Sequence, residues 1–184
     1  ALSDDQGNLY LLLTEAEGRD VTLEQFFESG LLDGVILMQV RMHDVRVDAL
    51  RQAELPFVLV GRTADNTGLS FIDLDVEVAI TQCVTHLAEL GHRHIAYLRQ
   101  DLPDFGFAVR ALRSFEAACA ARGLSVLAPT CGLSPEGGRQ AMAALLQEHP
   151  DTTGVIVWND LAAWGALQAV SATGRRVPED VSLI

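Results

Sequence analysis

Short apolar runs alternate along this chain with longer stretches in which apolar positions recur every three or four residues. The short runs predict strands at Leu9–Leu13, Gly34–Met38, Phe57–Val60, Ser70–Leu74, His94–Leu98, Ser125–Leu127, Gly154–Val157 and Val181–Ile184. The stretches between them predict helices at Thr22–Ser29, Arg46–Ala53, Val76–Leu90, Phe107–Arg122, Pro135–His149 and Leu161–Thr173. Strand and helix in strict alternation are the mark of parallel βαβ units, so the fold class is α/β. The runs VILM, FVLV and VIVW are apolar at every position, which predicts a sheet covered by helices on both faces.

The residues between these segments support the limits. Gly30, Gly91, Gly123 and Gly174 each follow a helical stretch, where the left-handed C-terminal cap is easiest for glycine. Ser134-Pro135-Glu136 places a capping hydroxyl, a proline suited to the first turn and an acid at the positive end of a helix. No internal repeat, low-complexity tract or Pro/Ser-rich linker interrupts the pattern.

Composition narrows the class. A chain of 184 residues that is 49% hydrophobic can form one large domain or two small α/β lobes. With 25 acidic and 13 basic residues the net charge is −12, and no Lys/Arg-rich block is present, so this chain by itself lacks the cationic surface that nucleic acid requires. Cys83, Cys119 and Cys131 are scattered and form no CxxC pair, which fits a reducing compartment and a cytoplasmic protein. No apolar stretch approaches the roughly 20 residues of a membrane helix, and Ala1–Gln6 does not look like a signal peptide, so no membrane partner is expected.

Candidate chemistry sits where strands hand over to helices, the place at which open α/β sheets bind ligands. Trp158-Asn159-Asp160 follows VIV. The pair can grip ligand hydroxyls while Trp158 covers a sugar-like face, or Asp160 can simply cap the helix. Asp75, after FIDL, sits at an expected cap with Glu77 in the first turn. A ligand role for Asp75 requires that it share a cleft with Asn159. In Asp104-Phe105-Gly106-Phe107-Ala108-Val109-Arg110, two rings and a guanidinium suit a polyol: rings cover C–H faces and arginine donates to oxygens. Equally, Phe107 can be core and Arg110 a solvated helix residue.

His92 and His94 have strand spacing, but further metal ligands have no local candidate, and His43, His86 and His149 are dispersed, so no metal site is expected. No GxSxG elbow, HExxH helix, phosphate loop or GxGxxG turn is present, and Ser114 and Cys119 fall mid-helix without a nearby base. Neither an enzyme nor a cofactor is expected.

HLAELGHRHIAYL (His86–Leu98), VIVWNDLAAWGAL (Val155–Leu167) and GRRVPEDVSLI (Gly174–Ile184), with DGVILM (Asp33–Met38) and LPFVLVGR (Leu55–Arg62), resemble in sequence and order the effector-binding core of the LacI/GalR family of bacterial transcription regulators. The resemblance covers essentially the whole chain. It implies two flavodoxin-like parallel-sheet lobes with an interlobe ligand cleft, the periplasmic binding protein-like type I arrangement. Residues 1–90 would belong to the N-terminal lobe and 91–184 to the C-terminal lobe. It further implies a sugar or sugar-like effector, a homodimer, and operator DNA contacted through an N-terminal helix-turn-helix absent from this chain. Asn159-Asp160 matches the family's Asn-Asp pair, Asp75 the polar residue that opens the first-lobe helix, and Phe105 and Phe107 the loop lining the pocket. Trp158 stands at a position that is usually small.

One departure is specific. Relatives commonly enter the helix after that loop with Arg-Leu-x-Gly-Phe; here the register gives Ala111-Leu112-Arg113-Ser114-Phe115, and Arg110 stands one place earlier, rotated by about 100°. Either Arg110 reaches in from the preceding turn, or the effector lacks the usual anchored oxygen. The resemblance also implies a polypeptide that continues beyond both Ala1 and Ile184. A periplasmic sugar-binding protein of an ABC transporter shares this fold, and an α/β enzyme of flavodoxin-like fold is the more distant rival.

Overall fold

The computed structural model describes residues 32–184, so the expected strand Leu9–Leu13, helix Thr22–Ser29 and cap Gly30 lie outside the described residues. Six strands and five helices follow in order: β1 (Val35–Met38), α1 (Val45–Gln52), β2 (Phe57–Val60), β3 (Phe71–Ile72), α2 (Val76–Glu89), β4 (Ile95–Leu98), α3 (Gly106–Ala120), α4 (Pro135–Glu148), β5 (Gly154–Val157), α5 (Asp160–Ala172) and β6 (Ser182–Leu183). They make two sheets of three strands, ordered β1-β2-β3 and β4-β5-β6. The pairs β2-β3, β4-β5 and β5-β6 are parallel, as the βαβ alternation requires.

The described residues fall into two compact units. One contains residues 32–36 with Asp44–Phe57. Its helix α1 starts at Asp44, whose carboxylate accepts the Arg46 backbone N–H at 3.1 Å and pairs with the same residue's guanidinium, and it buries Val47 and Leu50. The Val35 N–H donates to the Pro56 carbonyl at 2.9 Å, closing this unit.

The other unit, Leu37–His43 with Val58–Ile184, holds the second sheet and its core. All four residues of β4 are buried, and they alternate in strand fashion between two apolar clusters. Ala96 and Leu98 face Met142, Leu145 and Leu146 of α4 and Ala162, Ala166 and Val170 of α5. Ile95 and Tyr97 face Ile80, Val84 and Leu87 of α2 and Ala111, Phe115 and Cys119 of α3. Helices therefore cover both faces of β4, as its composition predicts. The first sheet differs: Ile36, Met38, Val58 and Val60 are exposed while Leu37 and Leu59 between them are buried, so β1 and β2 bury one side of the pleat.

Two glycines fix how α4 meets α5. A Cβ on Gly138 would fall inside the Ala162 backbone, and one on Gly165 inside that of Pro135, so the two helices touch backbone to backbone. Gly91, Gly123 and Gly174 adopt φ of +96°, +64° and +77° after their helices, as the capping argument requires. The expected strand Ser125–Leu127 is not formed. Its pairing is reduced to isolated parallel bridges, Ala96 with Leu127 and, just beyond β4, Arg99 with Thr130, because Pro129 between them has no N–H to extend a ladder.

Candidate functional site

Three strand ends of the second unit bring their following residues together. Gly61, at φ +119° and packed against Val40, turns the chain out of β2 so that Arg62 follows immediately. Asp73 follows β3, Glu77 lies in the first turn of α2, and Arg110 lies in the second turn of α3. These four charged side chains form one cluster. Arg62 Nε donates to Asp73 Oδ2 at 2.9 Å and Arg62 Nη2 to Glu77 Oε1 at 2.8 Å. Arg110 Nη2 donates to the same Asp73 oxygen. Arg110 Nε lies 3.1 Å from Glu77 Oε1 but off the hydrogen-bond direction, so that contact is electrostatic and not a bond.

Asp73 and Arg110 are largely withdrawn from water, with side chains 11% and 13% exposed, while Arg62 and Glu77 reach the surface. The Asp73 hydrogen bond pushes the Arg62 pKa up, and the charge of Glu77 acts in the same direction. Three atoms of the cluster are buried without a hydrogen-bond partner, the donors Arg110 Nε and Nη1 and the acceptor Glu77 Oε2. Gly106 is packed against this corner: a Cβ there would run into the Arg62 carbonyl and come within 2.9 Å of Arg110 Nη1.

An aromatic ladder runs from the start of α3 to the residue after β5. Phe107 stacks on Trp158 with ring centroids 4.9 Å apart and planes inclined by 14°, and Phe105 meets Phe107 at 6.0 Å. The guanidinium of Arg41 lies 5.6 Å from the Phe105 ring, a cation–π distance. The loop that carries these rings is tied to the segment after β1 by its backbone. The Gly106 N–H donates to the Val40 carbonyl at 3.2 Å and the Met42 N–H to the Asp104 carbonyl at 2.7 Å, with an antiparallel bridge between Arg41 and Phe105.

The remaining expected site residues have local roles. Asn159, not Asp160, caps α5: its Oδ1 accepts the N–H groups of Leu161 at 2.9 Å and Ala162 at 3.3 Å, and Asp160 is exposed in the first helical turn. The reason is register, since an Asx side chain reaches the N–H groups two and three residues on, and those of residues 161 and 162 belong to the first turn. Asp75 caps α2 through the Val78 N–H at 3.1 Å and is exposed. No described contact joins Asp75 to Asn159 or to the charged cluster.

His92 is structural. Its ring nitrogens lie 2.9 Å from Thr153 Oγ1 and 2.9 Å from Ser182 Oγ, at the starts of β5 and β6, and burial pushes its pKa down. Burial likewise raises the thiol pKa of Cys83, Cys119 and Cys131, all free, which disfavours the reactive thiolate. A groove of about 270 Å³ between α4 and α5, lined by Arg139, Leu146, Gln168 and Arg175 among others, shares no residue with the cluster or the ladder.

The sequence pattern of the periplasmic binding protein-like domain matches residues 84–184. The chain belongs to that family, in its LacI/GalR branch. It is 32% identical over 190 residues to the HTH-type transcriptional regulator CelR of Thermobifida fusca, which aligns to 100% of this chain and 55% of the relative. The solved CelR–cellobiose complex superposes with a TM-score of 0.76 at 30% identity, covering 89% of this chain and 51% of that one. A LacI family regulator from Arthrobacter sp. FB24 in complex with lactose gives 0.68 at 28% identity, over 87% and 57% of the two chains. The chain thus spans about half the length of the curated relatives it matches. The parallel-strand α/β architecture is that of LacI-family effector domains.

Within this LacI/GalR frame, Phe105, Phe107 and Trp158 are drawn together and Arg110 pairs with Asp73, whereas Asn159, Asp160 and Asp75 sit at helix starts. Sequence reasoning missed that Arg62, Asp73 and Glu77 gather around Arg110 and that Arg41 lies over the Phe105 ring. The available signal was charge placed directly after apolar strands, in LVGR and FIDLDVE, where a fully apolar or small residue would pack as well.

Proposed function

We propose that this chain is the ligand-sensing core of a LacI/GalR-type transcriptional regulator, which binds a sugar or sugar-like effector between two lobes and so modulates operator binding. The observation that carries this reading is the Phe105–Phe107–Trp158 ladder together with the part-buried cluster of Arg62, Asp73, Glu77 and Arg110. Aromatic faces cover the C–H surface of a pyranose, and fixed charged groups bind its hydroxyls. The cellobiose and lactose complexes of relatives support the same ligand class. Asp75, Asn159 and Asp160 complete the wall in this reading, each contributing whatever polar capacity its capping role leaves unused.

The chain binds and does not catalyse. The regulator works in the cytoplasm as a homodimer and contacts DNA through a helix-turn-helix supplied outside these residues, since the net charge of −12 gives this core no phosphate-binding face. Among the described residues no helix is long and apolar enough to cross a membrane. Effector binding shifts the balance between DNA-competent and incompetent states by its differential affinity for them.

Titration calorimetry with cellobiose and lactose tests the reading. One of these or a related disaccharide binds, and Trp158→Ala and Phe107→Ala each weaken it by at least about tenfold, the loss expected when a stacked ring is removed. A ligand whose affinity ignores both substitutions would place the site elsewhere. Release or capture of operator DNA by the full polypeptide on adding that sugar then separates a regulator from a transport protein.

A further inference from the structure

We propose that the cluster of Arg62, Asp73, Glu77 and Arg110 sets the charge selectivity of the site: it accepts uncharged polyols and rejects the same polyols carrying a carboxylate. This rests on the sugar-binding reading above and adds a rule for which sugars. Two guanidinium groups and two carboxylates leave no net charge, and both arginines are already held by acids of this chain. An anionic ligand must either compete with Asp73, 11% exposed, for guanidinium groups this chain's own acids already hold, or enter beside the Glu77 carboxylate.

The unpaired groups point the same way. Arg110 Nη1 is a donor without an acceptor and Glu77 Oε2 an acceptor without a donor, both buried. A hydroxyl can accept from the first and donate to the second; a carboxylate only accepts and an ammonium only donates. Gly106 packs beside Nη1, where any side chain would press on the guanidinium. The overall charge of −12 adds a repulsive background for anions. Asp73 and Glu77 act here as positioning and specificity-determining residues, and Arg110 as the donor they hold in place.

The test compares cellobiose with its glucuronosyl analogue, in which the terminal C6 hydroxymethyl is a carboxylate, by titration calorimetry on the full polypeptide. The intact protein prefers the neutral sugar by about thirtyfold or more, as expected when a ligand carboxylate is set beside acids whose cations are already engaged. Asp73→Asn and Glu77→Gln each leave one net positive charge, so the preference shrinks to within about threefold or inverts. Glu77, 33% exposed, is the safer of the two to replace, and circular dichroism confirms that each variant folds. Equal affinity for both sugars in the intact protein overturns the charge rule while leaving the sugar site standing, and so does an undiminished preference in both folded variants. Failure of the intact protein to bind either sugar overturns the sugar-binding reading and the rule with it.

Discussion

Helices α3 and α5 begin in the same kind of place, after a parallel strand of the second sheet, yet their first turns are held in opposite ways. The start of α5 is closed locally: Asn159 accepts two N–H groups of the turn it opens. The start of α3 has no side-chain cap at Phe105. It is fixed by distant segments, with Val40 accepting the Gly106 N–H, Met42 donating to Asp104, and Arg110 paired to Asp73. A locally capped helix keeps its start wherever the rest of the chain moves. One tied to remote segments transmits their position, and α3 is also the helix that carries the rings and the guanidinium of the candidate site. The contrast separates a folding device from a coupling device.

The contrast can be broken most forcefully at Gly106. Gly106→Val drives a side chain into the Arg62 carbonyl and should cost about 3 kcal/mol in urea unfolding, with loss of ligand binding. A near-neutral result would show that α3 is not clamped there. Next in size, Asp73→Asn removes the shared acceptor of two guanidinium groups and should cost about 2 kcal/mol, less than a fully buried pair because water reaches the edge of the cluster. Hydrogen exchange at the first turn of α3 should rise in that variant and stay unchanged at the start of α5. If both turns loosen together, the two starts are not independent.

At α5 the effects are smaller. Asn159→Ala should cost about 1 kcal/mol, and Asn159→Asp should recover nearly all of it, because an aspartate oxygen can accept the same two N–H groups. Smallest is Asp160→Asn, which loses only the interaction of an exposed first-turn charge with the helix dipole, about 0.3 kcal/mol, and should fade in high salt. A thermal melt showing Asp160 to matter more than Asn159 would reverse the capping assignment.

What the sequence reveals follows the same division. Limits set by neighbouring residues are legible: β2 and β5 run from Phe57 to Val60 and from Gly154 to Val157 as their apolar runs predict, and α4 starts at Pro135 behind Ser134. The edge segment at Ser125–Leu127 is misread because run composition registers β preference but not whether a proline two residues on stops the ladder. Half of the candidate site is legible for the same reason: rings and an arginine on one loop announce themselves. Their carboxylate partners do not, since Arg110 and Asp73 are 37 residues apart and Arg62 and Glu77 are 15 apart. Asp73 and Glu77 also each have a sufficient local explanation, a strand end and a helix dipole, and a single sequence offers nothing to choose between that and a remote bond. The displaced arginine was visible as a departure from relatives, and what it pairs with was not.

The stack of Phe107 on Trp158 has a spectroscopic consequence. The chain has two tryptophans, and the other, Trp164, is 59% exposed on α5. Their indoles therefore emit from different surroundings, one against a phenyl ring and one in water. Replacing Trp164 with phenylalanine would leave a single intrinsic fluorophore lying in the candidate site, so that its emission maximum and its accessibility to a soluble quencher would follow occupancy directly, with no label attached.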